Sequence, residues 1–311
     1  MNLIITEIKK LAMNIRLIKS SLFFSAFFLS IFLFACRTNL KKKPIADGRN
    51  MVVTDSLRYK SLVFDSVEVK KDIFFTEVTN ENDSLIKLCL DVYTPFGDII
   101  QSRPVILWVH GGGFTFGNDK TQSYIKTLAN TFSKRGYVSV STDYRVRKNP
   151  HKDISGTIND AVNDVMKALE WIRENSEKYG IDKSSIIIGG GSAGGILATN
   201  LCYKDANDST EWDKSGLIAF VNLWGSPGKN MMYQTIDKND PPTIFIHGMA
   251  DSIVSFSNTL RLSGDLESVG VKYKVFGIEG AGHTPIDHLD DIVKNIESFL
   301  YDKIKANTKQ E

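Results

Sequence analysis

Ser192 lies in the run Ile186-Ile187-Ile188-Gly189-Gly190-Gly191-Ser192-Ala193-Gly194-Gly195. The apolar run reads as a buried strand and the residues from Ala193 as the start of a helix. The glycines two places either side of the serine leave room for a sharp turn between them. Such a turn lifts a hydroxyl clear of a sheet and sets it before a helix N-terminus, where developing negative charge is favoured. The chemistry is nucleophilic attack, which needs a base and a group to orient that base. His283, in Glu279-Gly280-Ala281-Gly282-His283, and Asp251, in His247-Gly248-Met249-Ala250-Asp251, each follow an apolar run and so fall on separate loops. An imidazole there takes the serine proton and returns it to a leaving group, while a carboxylate behind it fixes its tautomer. A second glycine run, His110-Gly111-Gly112-Gly113-Phe114, directly follows the apolar residues 105–109. Main-chain amides that no side chain covers suit an oxyanion, so Gly112, Gly113 and Ala193 are the expected oxyanion hole and His110 is expected to be structural.

Those groups need a frame that gathers several loops at one edge. From about residue 60 onward, short β-branched and aromatic runs alternate with helical periods, which points to an α/β protein: a mostly parallel central sheet with helices on both faces. Strands are expected at 67–78, 85–93, 105–109, 137–141, 185–188, 219–224, 243–246 and 272–277, and helices at 120–134, 157–175, 193–203, 257–269 and 285–304. The clearest helix is 157–175, where Ile158, Ala161, Val162, Val165, Leu169 and Ile172 recur at spacings of three and four. In 85–93, Ile86, Leu88, Leu90 and Val92 alternate with polar neighbours, the pattern of a half-buried strand. No linker interrupts 61–311, which reads as one catalytic domain.

Of the 311 residues 42% are hydrophobic and 24% charged, which excludes disordered, coiled-coil and collagen-like readings. The formal charge of +2 comes from residues 1–35; the remainder holds 34 positive against 35 negative side chains, a net of −1. A near-neutral body has no footprint for phosphate backbones, so no nucleic-acid partner is expected. Three widely spaced cysteines exclude a disulfide scaffold and a cysteine-rich metal site, and neither a metal nor another cofactor is expected.

Residues 21–35 carry no charge, follow a basic stretch and are too few to cross ~30 Å of hydrocarbon as a helix. Residues 1–35 therefore read as a signal peptide rather than an anchor. Leu33-Phe34-Ala35-Cys36 resembles the lipobox of bacterial lipoproteins, with a bulkier residue than usual at Phe34. That resemblance implies lipid attachment at Cys36 and an exported protein held on a membrane at its periplasmic or cell-surface face. Residues 36–60, polar and basic at first, are expected to form a tether. An exported compartment would permit a disulfide between Cys89 and Cys202, though they read first as two separate thiols.

Together with LDVYTP (90–95), DYR (143–145) and YGID (179–182), the motifs HGGGF, GGSAGG, HGMAD and GAGH occur in an order that resembles the α/β-hydrolase superfamily over about 70–303. The likeness is to acetyl-esterase or hormone-sensitive-lipase-like carboxylesterases. It implies the chain order Ser, acid, His, which selects Asp251 over Asp287, and an ion pair of Arg145 with Asp164 beneath the site. It also implies a serine carboxylesterase that works through an acyl-enzyme on a small ester or acylated oligosaccharide. The sequence departs from lipase-like members between Trp224 and Thr243, where only a short loop fits and no large cap domain. An open site is therefore expected, with Phe114, Phe116 and Trp224 as candidate walls and acetylated or feruloylated glycans as the leading substrate class. A formamidase or lactonase would use the same acyl transfer to water, and a non-catalytic glycan-binding lipoprotein would keep only the fold. A peptidase of the prolyl-oligopeptidase type is disfavoured, because it normally adds a large propeller domain. His151, His247 and His288 are expected to be structural or solvated.

Overall fold

The computed structural model describes residues 57–203, 213–228 and 236–307. Within them eight strands form one sheet: β1 (Val67–Thr79), β2 (Leu85–Pro95), β3 (Arg103–Val109), β4 (Val138–Thr142), β5 (Ile181–Gly191), β6 (Leu217–Leu223), β7 (Thr243–Gly248) and β8 (Tyr273–Ile278), in the order β1-β2-β4-β3-β5-β6-β7-β8. β1 and β2 pair antiparallel, as do β2 and β4, and every other pairing is parallel. The helices are α1 (Ser123–Ser133), α2 (Ile154–Glu174), the single turn α3 (Ser176–Tyr179), α4 (Ala193–Cys202), α5 (Phe256–Ser268) and α6 (Leu289–Asn307).

The sheet is buried because helices cover both faces. Val105, Leu107 and Val109 of β3, with Ile186 and Ile188 of β5, face α2, α4 and α5, whereas Ile106, Trp108 and Ile187 face α1 and α6. A strand buried on both faces has no need to alternate, and all seven residues of β3 are buried. α2 presents Ile158, Ala161, Val162, Val165, Leu169 and Ile172 to the core and is capped by Asp153, whose Oδ1 accepts from the Gly156 amide at 2.9 Å. All ten residues of α4 are buried, which makes it a central helix without a polar face.

Several boundaries differ from the sequence reading for identifiable reasons. α1 starts at Ser123, not at residue 120, because Lys120 is tied elsewhere: its amide donates to Asp143 Oδ1 at 3.0 Å and its Nζ reaches Asp72 at 2.7 Å and Asp91 at 3.4 Å. The last helix begins at Leu289 after a 3₁₀ turn at Ile286–His288, since Thr284 takes a φ of +57°. β2 is more deeply buried than a half-buried strand, with Asp91 inside as the partner of Lys120. The tether does not reach residue 60: Arg58 is buried against Asp98 and the Gly136 carbonyl, and Tyr59 packs edge-on against Tyr137. The signal segment, Cys36 and the rest of the tether lie outside the described residues. Among the described residues no helix is long and apolar enough to cross a membrane.

Candidate active site

The carboxyl ends of β3, β5, β7 and β8 carry the loops that hold the predicted residues, so the parallel sheet brings all of them to one edge. Ser192 follows β5 with φ 52° and ψ −120°, a conformation that a non-glycine residue adopts only under constraint. The constraint is close packing. A Cβ at Gly190 would lie 2.4 Å from the Gly194 carbonyl oxygen, and one at Gly194 would lie 2.2 Å from that of Val109. Only glycine fits at either position, and strand, turn and helix close around a serine that stays half-exposed.

His283 Nε2 lies 2.8 Å from Ser192 Oγ and its Nδ1 lies 2.7 Å from Asp251 Oδ2. Asp251 Oδ1 accepts from the amides of Ile253 at 2.8 Å and Val254 at 3.0 Å, so both carboxylate oxygens are engaged. Burial pushes the Asp251 carboxyl up, but the hydrogen bonds from His283 and from those two amides outweigh it and hold it below the usual carboxylate range. The two loops are laced together: Met249 and Ala250 donate their amides to Ile278 and Ala281, each at 2.9 Å. Asp287 is exposed and takes no part in this row.

The oxyanion loop is shaped by its carbonyls. The Gly111 carbonyl accepts from His110 Nδ1 at 2.8 Å. The Gly112 carbonyl accepts from Thr115 Oγ1 at 2.8 Å and Asn118 Nδ2 at 3.2 Å. In a trans peptide the N–H points opposite to the C=O, so the amides of Gly112 and Gly113 turn away from those partners. Among the described residues those two amides and that of Ala193 have no acceptor. Gly112 and Gly113 have φ of +106° and +61°, and both line the same cleft as Ser192 and His283. His110 is the residue that orients the first of these peptides. It is buried and stacked on Tyr144, and burial lowers its pKa to about 4, so it is neutral at pH 7.

The cleft has a volume of about 470 Å³ and is lined on its apolar side by Tyr124, Trp224, Ile253 and Ile286. Trp224 is the one proposed wall residue that lies there. Phe114 belongs to the core, edge-on to Tyr144, and Phe116 is exposed away from the cleft lining, because the loop after Gly113 turns back to pair Thr115 with Arg147. The sequence reading missed Tyr124 and Gln122, which accept from the Gly111 amide at 3.1 and 3.0 Å. It also missed Ile253 and Ile286, exposed apolar residues with no periodic signal. Arg145 and Asp164 do pair, with Nε to Oδ2 at 2.8 Å, and Arg145 also reaches the Thr79 carbonyl, tying α2 to the β1 hairpin. Cys89 and Cys202 are unpaired thiols. His151 and His288 are exposed. His247 is buried and touches Asp251 directly.

Comparison with known proteins points to the same fold. The family model described as BD-FAE matches residues 90–220. Acylamino-acid-releasing enzyme 1 of Oryza sativa subsp. japonica is 28% identical over 70% of this chain and 32% of its own length. Esterase LipC of Mycobacterium tuberculosis is 26% identical over 62% of this chain and 56% of its own. The chain thus spans between a third and just over half of these two relatives. Among solved structures, Thermogutta terrifontis esterase 2, phosphoramylated by tabun, superposes with a TM-score of 0.61 at 25% identity, covering 77% of this chain and 95% of that one. The chain has the α/β-hydrolase fold, and the proteins it is similar to include esterases of that fold.

Proposed function

We propose that the chain is a serine carboxylesterase that cleaves short-acyl esters. The observation that carries this reading is the unbroken row Ser192 Oγ, His283 Nε2, His283 Nδ1, Asp251 Oδ2, with contacts of 2.8 and 2.7 Å, beside the unpartnered amides of the 112–113 loop. His283 takes the Ser192 proton as Oγ attacks the ester carbonyl, and the oxyanion is met by the amides of Gly112, Gly113 and Ala193. His283 then protonates the leaving alcohol, and water attacks the acyl-enzyme by the same route. Asp251 keeps the proton on His283 Nδ1 and stabilises the imidazolium. A glycan-binding protein without activity would have no use for a strained serine in contact with an imidazole.

For the substrate, we favour small acyl groups on a bulky alcohol, with acetylated or feruloylated glycans first. Ile253 and Ile286 are 73% and 45% exposed at the rim of the cleft, so an alcohol can extend into solvent from there. An amide-cleaving reading has one specific support, the likeness to an acylamino-acid-releasing enzyme. Release of p-nitrophenol from p-nitrophenyl acetate by the wild type and not by Ser192→Ala tests the esterase reading. A panel of acetyl, butyryl, octanoyl and feruloyl esters, acetylated xylan and an N-acetylaminoacyl p-nitroanilide then ranks the substrates. A preference for the anilide would overturn the ester assignment. We further propose that the protein is exported and membrane-held by lipid at Cys36, a reading supported by the uncharged run ending in Leu-Phe-Ala-Cys. Cys36→Ser should leave the membrane fraction with its specific activity unchanged.

A further inference from the structure

His247 ends β7 and is fully buried. Its Nε2 lies 2.8 Å from the Val254 carbonyl oxygen and 3.1 Å from Asp251 Oδ2, the same oxygen that His283 Nδ1 contacts at 2.7 Å. A carbonyl only accepts, so Nε2 carries the proton. Nδ1, 2.8 Å from Thr259 Oγ1, is then an acceptor. Thr259 Oγ1 lies 2.7 Å from Ser226 Oγ, and both residues are fully buried. One direction satisfies the whole chain: Ser226 donates to Thr259, Thr259 donates to His247 Nδ1, and His247 Nε2 shares its proton between Val254 and Asp251. The relay thus runs from the connection after β6, through α5, to the carboxylate that faces His283.

We propose that His247 is a positioning residue for the catalytic row, a second imidazole that holds Asp251 Oδ2 and draws part of its charge away from His283. The proposal rests on the esterase reading above. Asp251 Oδ1 is held by two amides and Oδ2 by two imidazoles, so the carboxylate cannot rotate without breaking one of four contacts. The titratable groups acting on His247 are Asp251 from its own loop and His283 from the loop after β8; Thr259 from α5 and Ser226 after β6 are neutral. Burial lowers the His247 pKa, although the Val254 carbonyl and Asp251 oppose it, which favours the neutral ring; the Val254 and Thr259 contacts fix its tautomer. Losing the Nε2 donor leaves more of the Asp251 charge facing His283, which favours imidazolium and moves the acid limb of the rate profile to higher pH.

His247→Leu removes the donor, His247→Gln keeps an N–H near the Nε2 position, and Thr259→Val removes the hydroxyl that fixes the tautomer. With p-nitrophenyl acetate, His247→Leu should lower kcat about tenfold at nearly constant KM, the scale seen when a buried orienting partner is lost. Its acid limb should rise by about half a pH unit, and His247→Gln should bring it most of the way back. Thr259→Val should fall between them. NMR titration of the His283 ring in the Ser192→Ala protein, with and without the His247 change, reads the same shift without turnover. Absent wild-type activity with a shifted ring titration would therefore overturn the esterase reading and leave the relay standing. Should His247→Leu fail to fold, Thr259→Val carries the test. Folded variants whose titrations and acid limbs match their parents would overturn the proposal.

Discussion

The two halves of the site hold their reactive groups by different means. At the nucleophile, backbone does the holding: Ser192 sits at φ 52° because β5 and α4 meet with no space for a side chain at Gly190 or Gly194. At the acid, side chains do it: Asp251 is pinned by two amides and two imidazoles on loops that are laced to each other. A backbone-held group is in place or the turn is not formed. A side-chain-held group degrades by steps, because each contact can be lost separately. Substitutions of the elbow glycines should therefore show in stability, and acid-side substitutions in rate.

The largest effect is expected at the atom both halves serve. Ser192→Ala should cost on the order of 10⁶ in turnover with unfolding unchanged, as in serine hydrolases whose triad acts as a unit. Asp251→Asn should lower kcat by about 10⁴ while the protein stays folded, since the carboxamide favours the wrong imidazole tautomer. Gly194→Ala should reverse that balance. Its Cβ would press on the Val109 and His110 carbonyls, and urea unfolding should report a loss on the order of 3 kcal/mol. A Gly194→Ala protein as stable as its parent would break the distinction between the halves.

Two smaller effects sharpen it. Trp224 lines the cleft with its ring tilted against that of Tyr124, centroids 5.5 Å apart, and closes its apolar side. Trp224→Ala should raise kcat/KM for octanoyl over acetyl esters by about tenfold, given ~0.8 kcal/mol per buried CH₂. An unchanged chain-length profile would show that the acyl group lies elsewhere. Asp251 gives the pH test. Its folded pKa is depressed, so its contribution to stability is complete above the unfolded value of ~3.9 and is lost as pH falls through the folded value. The difference in Tm between wild type and Asp251→Asn should shrink as pH drops from 5 to 2. A gap that widens would contradict the sign.

The same division explains what was legible in the sequence. Ser192 stood out because the positions two either side of it demand glycine, and Gly112 and Gly113 because a run of glycines after an apolar strand has few other uses. The central strands β3, β5, β6 and β7 were legible for a related reason: buried parallel strands are near-continuous apolar runs, and only their ends moved. What stayed hidden depends on side chains that meet across the fold. Nothing local in His247, Thr259 or Ser226 shows that they form one chain to Asp251. Lys120 read as a helix start because Asp72, Asp91 and Asp143, its partners, come from three other segments. Phe114 and Phe116 read as walls because the turn that returns Thr115 to Arg147 has no signature of its own.

The central claim is that Ser192 becomes acylated, and mass analysis of a quenched reaction tests it most directly. Protein mixed with p-nitrophenyl acetate and acid-quenched during the first turnover should carry one acetyl group on the peptide containing Ser192, with release of about one equivalent of p-nitrophenol. The label should be absent from Ser192→Ala. An acetyl group found on another residue, or equal release by wild type and Ser192→Ala, would contradict the account.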